Sequence, residues 1–340
     1  MKILRLFARL SLVCVLFIFL AGSVVRMTGS GMGCPDWPKC FGRTIPPMSE
    51  DQVTWKAQSP FFEGQMIVFE EALYTAKSDF SSEDTMDLNN WEEYTKHDYA
   101  VFNAFHSWVE FINRLTGVVA GVPVLLTLLF SFLVSRQKKK WWIFAAAIGA
   151  VFMMAFEAWL GKLVVDGNLI PGSITIHMVG AIFVLFFLQL IITKTKEQKL
   201  SISKPMKWML WVFLICAFVQ LMLGTQVREA VDVLIKEGDY PRAEWIMNLP
   251  FGFIIHRSFS WVILLLGVFL IFKDWKQNNA LGLWWRIGFW ILFQIGIGAF
   301  LAWFDMPKEL QPMHLMGSIL MLLFVFERIL ITEQQQVSAA

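Results

Sequence analysis

Apolar residues occur along this 340-residue chain in blocks about as long as a membrane is thick. A helix needs roughly 20 mostly apolar residues to cross a bilayer. Eight blocks reach that length, and the tryptophans near several of their ends are typical of side chains at a membrane surface. We predict spans 1 to 8 at about 8–26, 103–134, 141–161, 173–193, 207–227, 251–272, 283–303 and 313–331.

The first span follows Lys2, Arg5 and Arg9 and so resembles a signal peptide. No A-x-A-like cleavage site follows it, and its apolar stretch is longer than the ~7–15 residues of a signal sequence. We therefore expect a retained helix.

Composition supports a membrane protein and excludes two other classes. Hydrophobic residues make up 56% of the chain and charged residues only 16%, with a mean hydropathy of +0.56. Soluble domains carry about 25% charged residues. A soluble globular enzyme and a disordered chain are both excluded. The sequence predicts an all-α polytopic membrane protein in contact with a lipid bilayer, and it gives no indication of nucleic-acid binding.

The loops alternate in charge, although the net charge is only +2. Loops at about 136–140, 194–207 and 273–276 are basic, whereas the intervening loops are acidic or mixed. Lys and Arg concentrate on the cytoplasmic side of membranes. We therefore predict cytoplasmic termini and a multi-pass protein of the bacterial inner membrane.

The long loop at about 27–102 then lies outside. Two alternatives remain open for it: a small folded cap over the membrane domain, or a partly mobile segment. His97, beside Asp98 in this loop, is expected to be a solvated residue.

The two halves of the chain resemble each other, as in many membrane proteins built by duplication. Four motifs recur in the same order. The matched pairs are Gly22-Ser-Val-Val-Arg26 with Gly224-Thr-Gln-Val-Arg228, Asn113-Arg114 with His256-Arg257, Glu157-x-x-x-Gly161 with Gln294-x-x-x-Gly298, and His177-Met-Val-Gly180 with His314-Leu-Met-Gly317. We predict two tandem four-helix bundles, with domains at 1–200 and 201–340.

Histidines occur early in each even-numbered span, and ionisable groups in spans indicate function by default. His256 and His314 occupy matching depths in the second bundle, where two facing imidazoles are typical axial ligands of a heme. The alternative for each histidine is a structural role, in which the ring is hydrogen bonded to a neighbouring backbone carbonyl.

The first bundle has an incomplete set of the same groups. His177 matches His314, but Asn113 stands where the second half has His256. His106 lies two turns before Asn113, and Glu110 lies between them. We therefore expect one firmly held cofactor and one reactive site.

Four arginines near the outer face each have two possible roles. The guanidinium groups clamp a heme propionate or extend toward lipid headgroups. Glu157 also lies inside a span, where the alternatives for its partner are Lys162 and an arginine, and its role stays open. The four arginines are Arg26, Arg114, Arg228 and Arg257.

Four cysteines divide into two kinds. Cys14 and Cys216 lie inside spans and are expected to be packing residues. Cys34 and Cys40 follow span 1 on the oxidising side, so a disulfide is preferred over a zinc site. Its role is either a structural staple or thiol exchange at an exposed bond.

Several of these motifs together resemble the heme A synthase family. They are Gly29-Ser30-Gly31-x-x-Cys34-Pro35-Asp36-Trp37-Pro38-x-Cys40, Glu110-x-x-Asn113-Arg114, and the single histidines of the even spans. The resemblance covers all eight spans, but not the insert at about 43–100.

The resemblance implies oxidation of a methyl group of heme O to the formyl group of heme A, for cytochrome oxidase assembly. It implies heme b between His256 and His314, the substrate heme in the first bundle with His177 as one ligand, and a chemical role for Glu110. The departure is Asn113, since the family commonly has histidine there. Expected partners are heme O synthase, oxidase assembly factors and a second copy of the chain.

Two other functions compete with this interpretation. One is a diheme cytochrome b that oxidises quinol, although its hemes would have to stack across the bilayer. The other is a transporter or heme chaperone, although transporters usually carry broken helices and midplane polar sites.

Overall fold

The computed structural model describes residues 1–95, 101–167, 172–196, 199–238 and 240–334; His97 and Asp98 lie outside these ranges. Eight helices in the described chain are long and apolar enough to cross a membrane, which confirms the predicted all-α polytopic membrane protein. Numbered by span, they are α1 (Lys2–Thr28), α2 (Ala104–Lys138), α3 (Trp141–Asp166), α4 (Ser173–Lys194), α5 (Lys204–Glu237), α6 (Phe251–Lys276), α7 (Leu283–Trp303) and α8 (Leu310–Ile331).

Helix α5 shows why some predicted spans are too short. It continues about ten residues beyond the apolar run because polar side chains carry it further. Arg228 pairs with Asp232 one turn later, at 2.6 Å, which supports helix at the polar end. The helix ends at Gly238, whose φ of +70° suits a left-handed cap, and its N–H donates to Leu234 O at 3.2 Å. A one-turn helix, Trp245–Asn248, precedes α6.

The long first loop is folded over its described residues. Strands β2 (Met66–Phe69), β3 (Ala72–Ala76) and β5 (Trp91–Glu93) form an antiparallel sheet in the order β2-β3-β5. Strands β1 (Pro60–Phe61) and β4 (Phe80–Ser81) pair separately, also antiparallel. Two small apolar clusters stabilise this segment, one around Phe41 and Met66 and the other around Ile67 and Trp91. A folded segment is thus observed rather than a mobile one.

The chain divides into two compact units. The helical unit comprises Met1–Leu20, Val119–Glu157 and Ile174–Ala340, as far as the described ranges extend. The loop unit comprises Ala21–Val118 and Ala158–Ser173, with the same restriction. The predicted domains at 1–200 and 201–340 follow the repeat rather than this division, and they stay a prediction.

The helical unit contains a closed four-helix ring. Helix α5 packs on α6 and α8, and α7 packs on the same two helices. Its core extends to the parts of α1, α3 and α4 in this unit, through Phe19, Ala150 and Leu185. The rings of Phe186 and Phe326 lie 4.5 Å apart between α4 and α8. Both halves of the chain therefore contribute to one apolar core. Near the helix ends, strands β6 (Leu200–Ile202) and β7 (Thr332–Gln334) pair in parallel.

Candidate functional site

His256 and His314 face each other inside the four-helix ring. Their ring centroids are 6.4 Å apart and their planes are nearly perpendicular, at 84°. Bonds of about 2 Å from a metal to two imidazoles on opposite sides would give roughly this centroid separation. Both Nδ1 atoms are buried and have no hydrogen-bond partner among the described residues. The separation of the two rings therefore fits the axial ligands of a heme.

Glycines on the other two helices of the ring leave room for these imidazoles. A Cβ atom added at Gly224 on α5 would lie 3.1 Å from Cε1 of His256. One added at Gly298 on α7 would lie 3.3 Å from Cε1 of His314. All four helices therefore shape the space around the two rings. Gln220 also fixes α6 here, because its side-chain amide donates to His256 O at 3.0 Å.

We predict that Gly224→Ala weakens retention of a ligand between the two histidines. The added methyl would push on the His256 ring, and overpacking typically costs about 1–3 kcal/mol. Loss of bound heme on dilution of the purified protein should be about fivefold faster or more. Gly252→Ala is the matched control, because a Cβ there meets no atom within 4 Å. Equal retention in the two variants would show that Gly224 does not shape the site.

The repeat extends to side-chain contacts in the first half. A Cβ at Gly22 would lie 3.8 Å from Oδ1 of Asn113, as one at Gly224 would lie beside His256. Oδ1 of Asn113 is buried without a hydrogen-bond partner in the described chain. Asn113 therefore occupies the position equivalent to His256 in contact as well as in sequence.

Glu157 contacts His177, which corrects the predicted partner. Oε2 of Glu157 on α3 hydrogen bonds Nδ1 of His177 on α4. Lys162 instead pairs with Asp166 at 3.6 Å on its own helix. The prediction assumed a cationic partner, whereas the buried carboxylate contacts an imidazole.

In the loop unit, Glu110 is buried and ties α2 to the cysteine loop. Its Oε2 accepts the N–H of Cys34 at 2.9 Å, and its Oε1 binds Nη2 of Arg114. Arg114 also donates through Nη1 to the carbonyls of Asp36 at 2.9 Å and Lys39 at 2.8 Å. The carboxylate thus stands at the centre of a network that sequence spacing alone did not reveal.

The other residues of this network come from the same loop and helix. Ser107 donates to Gly33 O at 2.6 Å, and Ser30 Oγ lies 3.0 Å from Nδ1 of His106. His106 is therefore already hydrogen bonded, through a serine that no sequence motif indicated as its partner. Tyr94 holds the loop from its other side, with its hydroxyl donating to Pro35 O at 2.6 Å.

Burial in the interior of the loop unit raises the pKa of two ionisable groups. Burial raises the pKa of Asp36 above its usual range, although the Gly42 N–H and Arg114 oppose that effect. Burial, followed by repulsion from the carboxylates of Asp36 and Asp166, raises the pKa of Tyr94 to about 12. Tyr94 therefore keeps its proton at neutral pH and remains a donor.

Cys34 and Cys40 form the expected disulfide. The S–S distance is 2.04 Å and the Cα atoms are 4.8 Å apart. Both residues are buried, at 0% and 1% exposure, in the apolar cluster with Phe41 and Met66. Thiol exchange needs access to a sulfur, so burial favours the structural role and argues against the exposed, exchanging bond. Cys14 and Cys216 are free thiols within α1 and α5.

Gly33→Ala should loosen the loop from α2. A Cβ at Gly33 would lie 2.4 Å from the backbone C and O of His106, where rigid helix backbone cannot give way. We expect a loss of about 1–3 kcal/mol of loop closure. The measurement is the rate at which a reductant and an alkylating reagent modify Cys34 and Cys40. Gly117→Ala, where a Cβ on α2 meets no atom within 4 Å, should react like wild type.

The arginines differ in how far they are engaged. Arg228 donates to Gln311 at 2.5 Å and pairs with Asp232, and Arg114 is held by the loop. Arg257 is exposed, with its guanidinium 6.0 Å from the Phe253 ring. Arg257, next to His256, is therefore the guanidinium best suited to an anionic ligand group. Arg26 lies in the last turn of α1.

The predicted site residues thus fall into separate groups. His177, His256, His314 and Arg257 belong to the helical unit, whereas His106, Glu110, Asn113 and Arg114 belong to the loop unit. Within the described residues, no group of three His, Cys, Asp or Glu side chains could hold a metal ion by itself.

Comparison with known proteins gives a consistent assignment. A heme A synthase of Flavobacterium johnsoniae is 23% identical over 337 residues, covering 88% of this chain and 90% of that protein. A heme A synthase of Shewanella oneidensis is 24% identical over 195 residues, covering 57% of this chain and 46% of that protein. The chain thus spans less than half the length of the second relative. The family model described as cytochrome oxidase assembly protein matches residues 5–326, and the chain belongs to that family.

Proposed function

We propose that the chain is a heme A synthase, a membrane oxidoreductase that converts a methyl group of heme O into the formyl group of heme A for terminal oxidase assembly. The observation that carries the proposal is the facing pair of His256 and His314 in a chain of this family. The two relatives named heme A synthase support the same reaction.

His256 and His314 are proposed as the axial ligands of a resident heme b. The 6.4 Å separation of their ring centroids supports this role. Arg257 is proposed to bind a propionate, because it follows a ligand and is exposed. A bound heme supplies one-electron chemistry, while the protein fixes its ligands and excludes water.

The first-half residues are proposed to serve the substrate heme. His177 is the proposed ligand, and its Nε2 has no hydrogen-bond partner among the described residues. Asn113 replaces the second histidine, and a neutral amide is a weak ligand for iron. His106 and Arg114 have other partners in the loop unit, and their predicted heme contacts stay predictions.

Glu110 is proposed as the carboxylate on which conversion depends. Its side chain is buried beside the disulfide loop, where Cys34 N–H and Arg114 fix both oxygens. Burying a carboxylate is costly unless it is paired, and this one is paired. Such an arrangement holds a negative charge at a defined position, which a loop residue in water could not do.

We further propose a bacterial inner-membrane location with cytoplasmic termini. Heme O synthase, oxidase assembly factors and a second copy of the chain are the proposed partners. The diheme cytochrome b alternative is not favoured, because the family and its named relatives are assembly proteins and heme A synthases. A transporter would place its polar site at midplane in broken helices, whereas the eight described helices are continuous.

The test is to express the chain in cells that make heme O but no heme A, and to chromatograph the extracted hemes. We expect heme A, or a hydroxylated intermediate, to accumulate. Unchanged heme O beside a normal b-type spectrum would instead indicate an electron-transfer protein.

A further inference from the structure

The contact between Glu157 and His177 is a polar pair buried between two apolar helices. The Glu157 side chain is only 11% exposed, whereas that of His177 is 42% exposed. An ionised Glu157 can only accept a hydrogen bond, and in that state Nδ1 of His177 carries the proton. The lone pair of the imidazole is then on Nε2, which has no hydrogen-bond partner in the described ranges. The contact therefore selects one tautomer and leaves one nitrogen available.

Gly180 on α4 makes room for this carboxylate. A Cβ added there would lie 1.9 Å from Oε1 of Glu157 and 3.0 Å from its Cδ. Oε1 itself is buried and lacks a hydrogen-bond partner among the described residues. Leaving a carboxylate oxygen unpartnered in apolar surroundings is costly. Packing alone does not explain a carboxylate at this position, whereas the bond from its other oxygen, Oε2, to His177 gives it a partner.

The second half provides an internal comparison at the equivalent positions. Gln294 replaces Glu157, and a Cβ at Gly317 would lie 2.2 Å from its Nε2. The Gln294 carbonyl accepts from Ser318 at 3.2 Å instead of contacting His314. Nδ1 of His314 has no described partner. Both halves thus have a glycine packed against a polar side chain at these positions. Of the two polar side chains, Glu157 is the one that is a carboxylate in contact with a histidine.

We propose that Glu157 is a positioning residue, which orients His177 so that Nε2 binds the substrate heme iron and whose negative charge favours the ferric state. The inference rests on the proposed function and deepens it. Histidines that bind metals almost always donate their other N–H, often to a carboxylate, and removal of that partner typically costs 10- to 100-fold in affinity. Since Gln294 is neutral, the second half lacks the corresponding charge beside His314.

The test compares Glu157→Gln with Asp166→Asn in the purified full-length protein. The two changes remove the same charge from α3, and Asp166 pairs with Lys162 on its own helix. The affected heme is identified as the one lost in His177→Ala. In Glu157→Gln we expect its affinity to fall about tenfold or more. Its midpoint potential should rise, by about 59 mV for each tenfold change in relative affinity of the two oxidation states. Asp166→Asn should match wild type.

Gly180→Ala is a second variant, because the added methyl displaces the carboxylate without removing it. It should reproduce the shift, and the spectrum of the His256–His314 heme reports correct folding in every variant. If Glu157→Gln folds and the affinity and potential of the heme on His177 are unchanged, the inference is overturned. If Glu157→Gln does not fold, unchanged values in Gly180→Ala overturn it instead. Heme A formation is read separately: a wild type that binds heme on His177 but makes no heme A contradicts the proposed function, and the shift still tests Glu157.

Discussion

Replacing Glu110 by alanine is expected to abolish heme A formation while leaving the b-type spectrum intact. The change removes the acceptor of the Cys34 N–H and the partner of Arg114 in one step. Conversion should fall about 100-fold or more, the usual effect of losing a positioned acid–base group. The measurement is the ratio of heme A to heme O in extracts, beside a reduced-minus-oxidised spectrum. Normal heme A yield would remove Glu110 from its proposed role.

Two further variants separate the charge of Glu110 from its structural contact. Glu110→Gln keeps an oxygen for the Cys34 N–H but loses the charge opposite Arg114, and we expect it to be nearly as defective as alanine. Ser107→Ala removes a different bond between α2 and the loop, from Ser107 to Gly33 O. It should keep most activity. If Ser107→Ala were as defective as Glu110→Ala, the carboxylate would be only one of several bonds that hold the loop.

His314→Ala should eliminate the heme b that we propose between His256 and His314. The variant leaves His256 as a single ligand, in a space where Gly224 and Gly298 leave room for two imidazole rings. Loss of one axial ligand changes the low-spin iron of a His/His site and opens a cavity beside it. We expect the heme-to-protein ratio of purified material to fall by at least one resident heme, with the b-type absorbance lost.

His106→Ala is the matched control for that variant, because His106 bonds Ser30 in the loop unit rather than facing another imidazole. Its b-type absorbance should be that of wild type. If His314→Ala retained a normal low-spin spectrum, the assignment of the His256–His314 pair as heme ligands would be wrong.

The spanning helices were predictable because the bilayer imposes a long apolar run on each of them. Seven of the eight predicted spans lie entirely in helices, and span 2 at 103–134 begins one residue before Ala104–Lys138. Span 7 at 283–303 matches Leu283–Trp303 at both ends. Helix α5 extends to Glu237 because an ion pair continues it, and hydropathy does not register such a contact. The folding of the long loop was not predictable, since its strands are short and depend on two small cores.

The residues of the candidate site were predictable from the sequence, but their hydrogen-bond partners were not. The repeat aligned Glu157 with Gln294 and His177 with His314, yet it did not indicate that Glu157 contacts His177. These two are twenty positions apart in the sequence, so their contact depends on how α3 packs against α4. Likewise, neither partner of Glu110 was predicted: Arg114 lies one turn later on the same helix, and the Cys34 N–H comes from a distant loop.

The proposed function requires that the resident heme and the substrate heme depend on different histidines. Reduced-minus-oxidised spectra of purified wild type, His256→Ala and His177→Ala are the decisive measurement. We expect the b-type signal to disappear in His256→Ala and to persist in His177→Ala, while heme A formation fails in both. Equal loss of the b-type signal in the two variants would contradict the separation of the two sites.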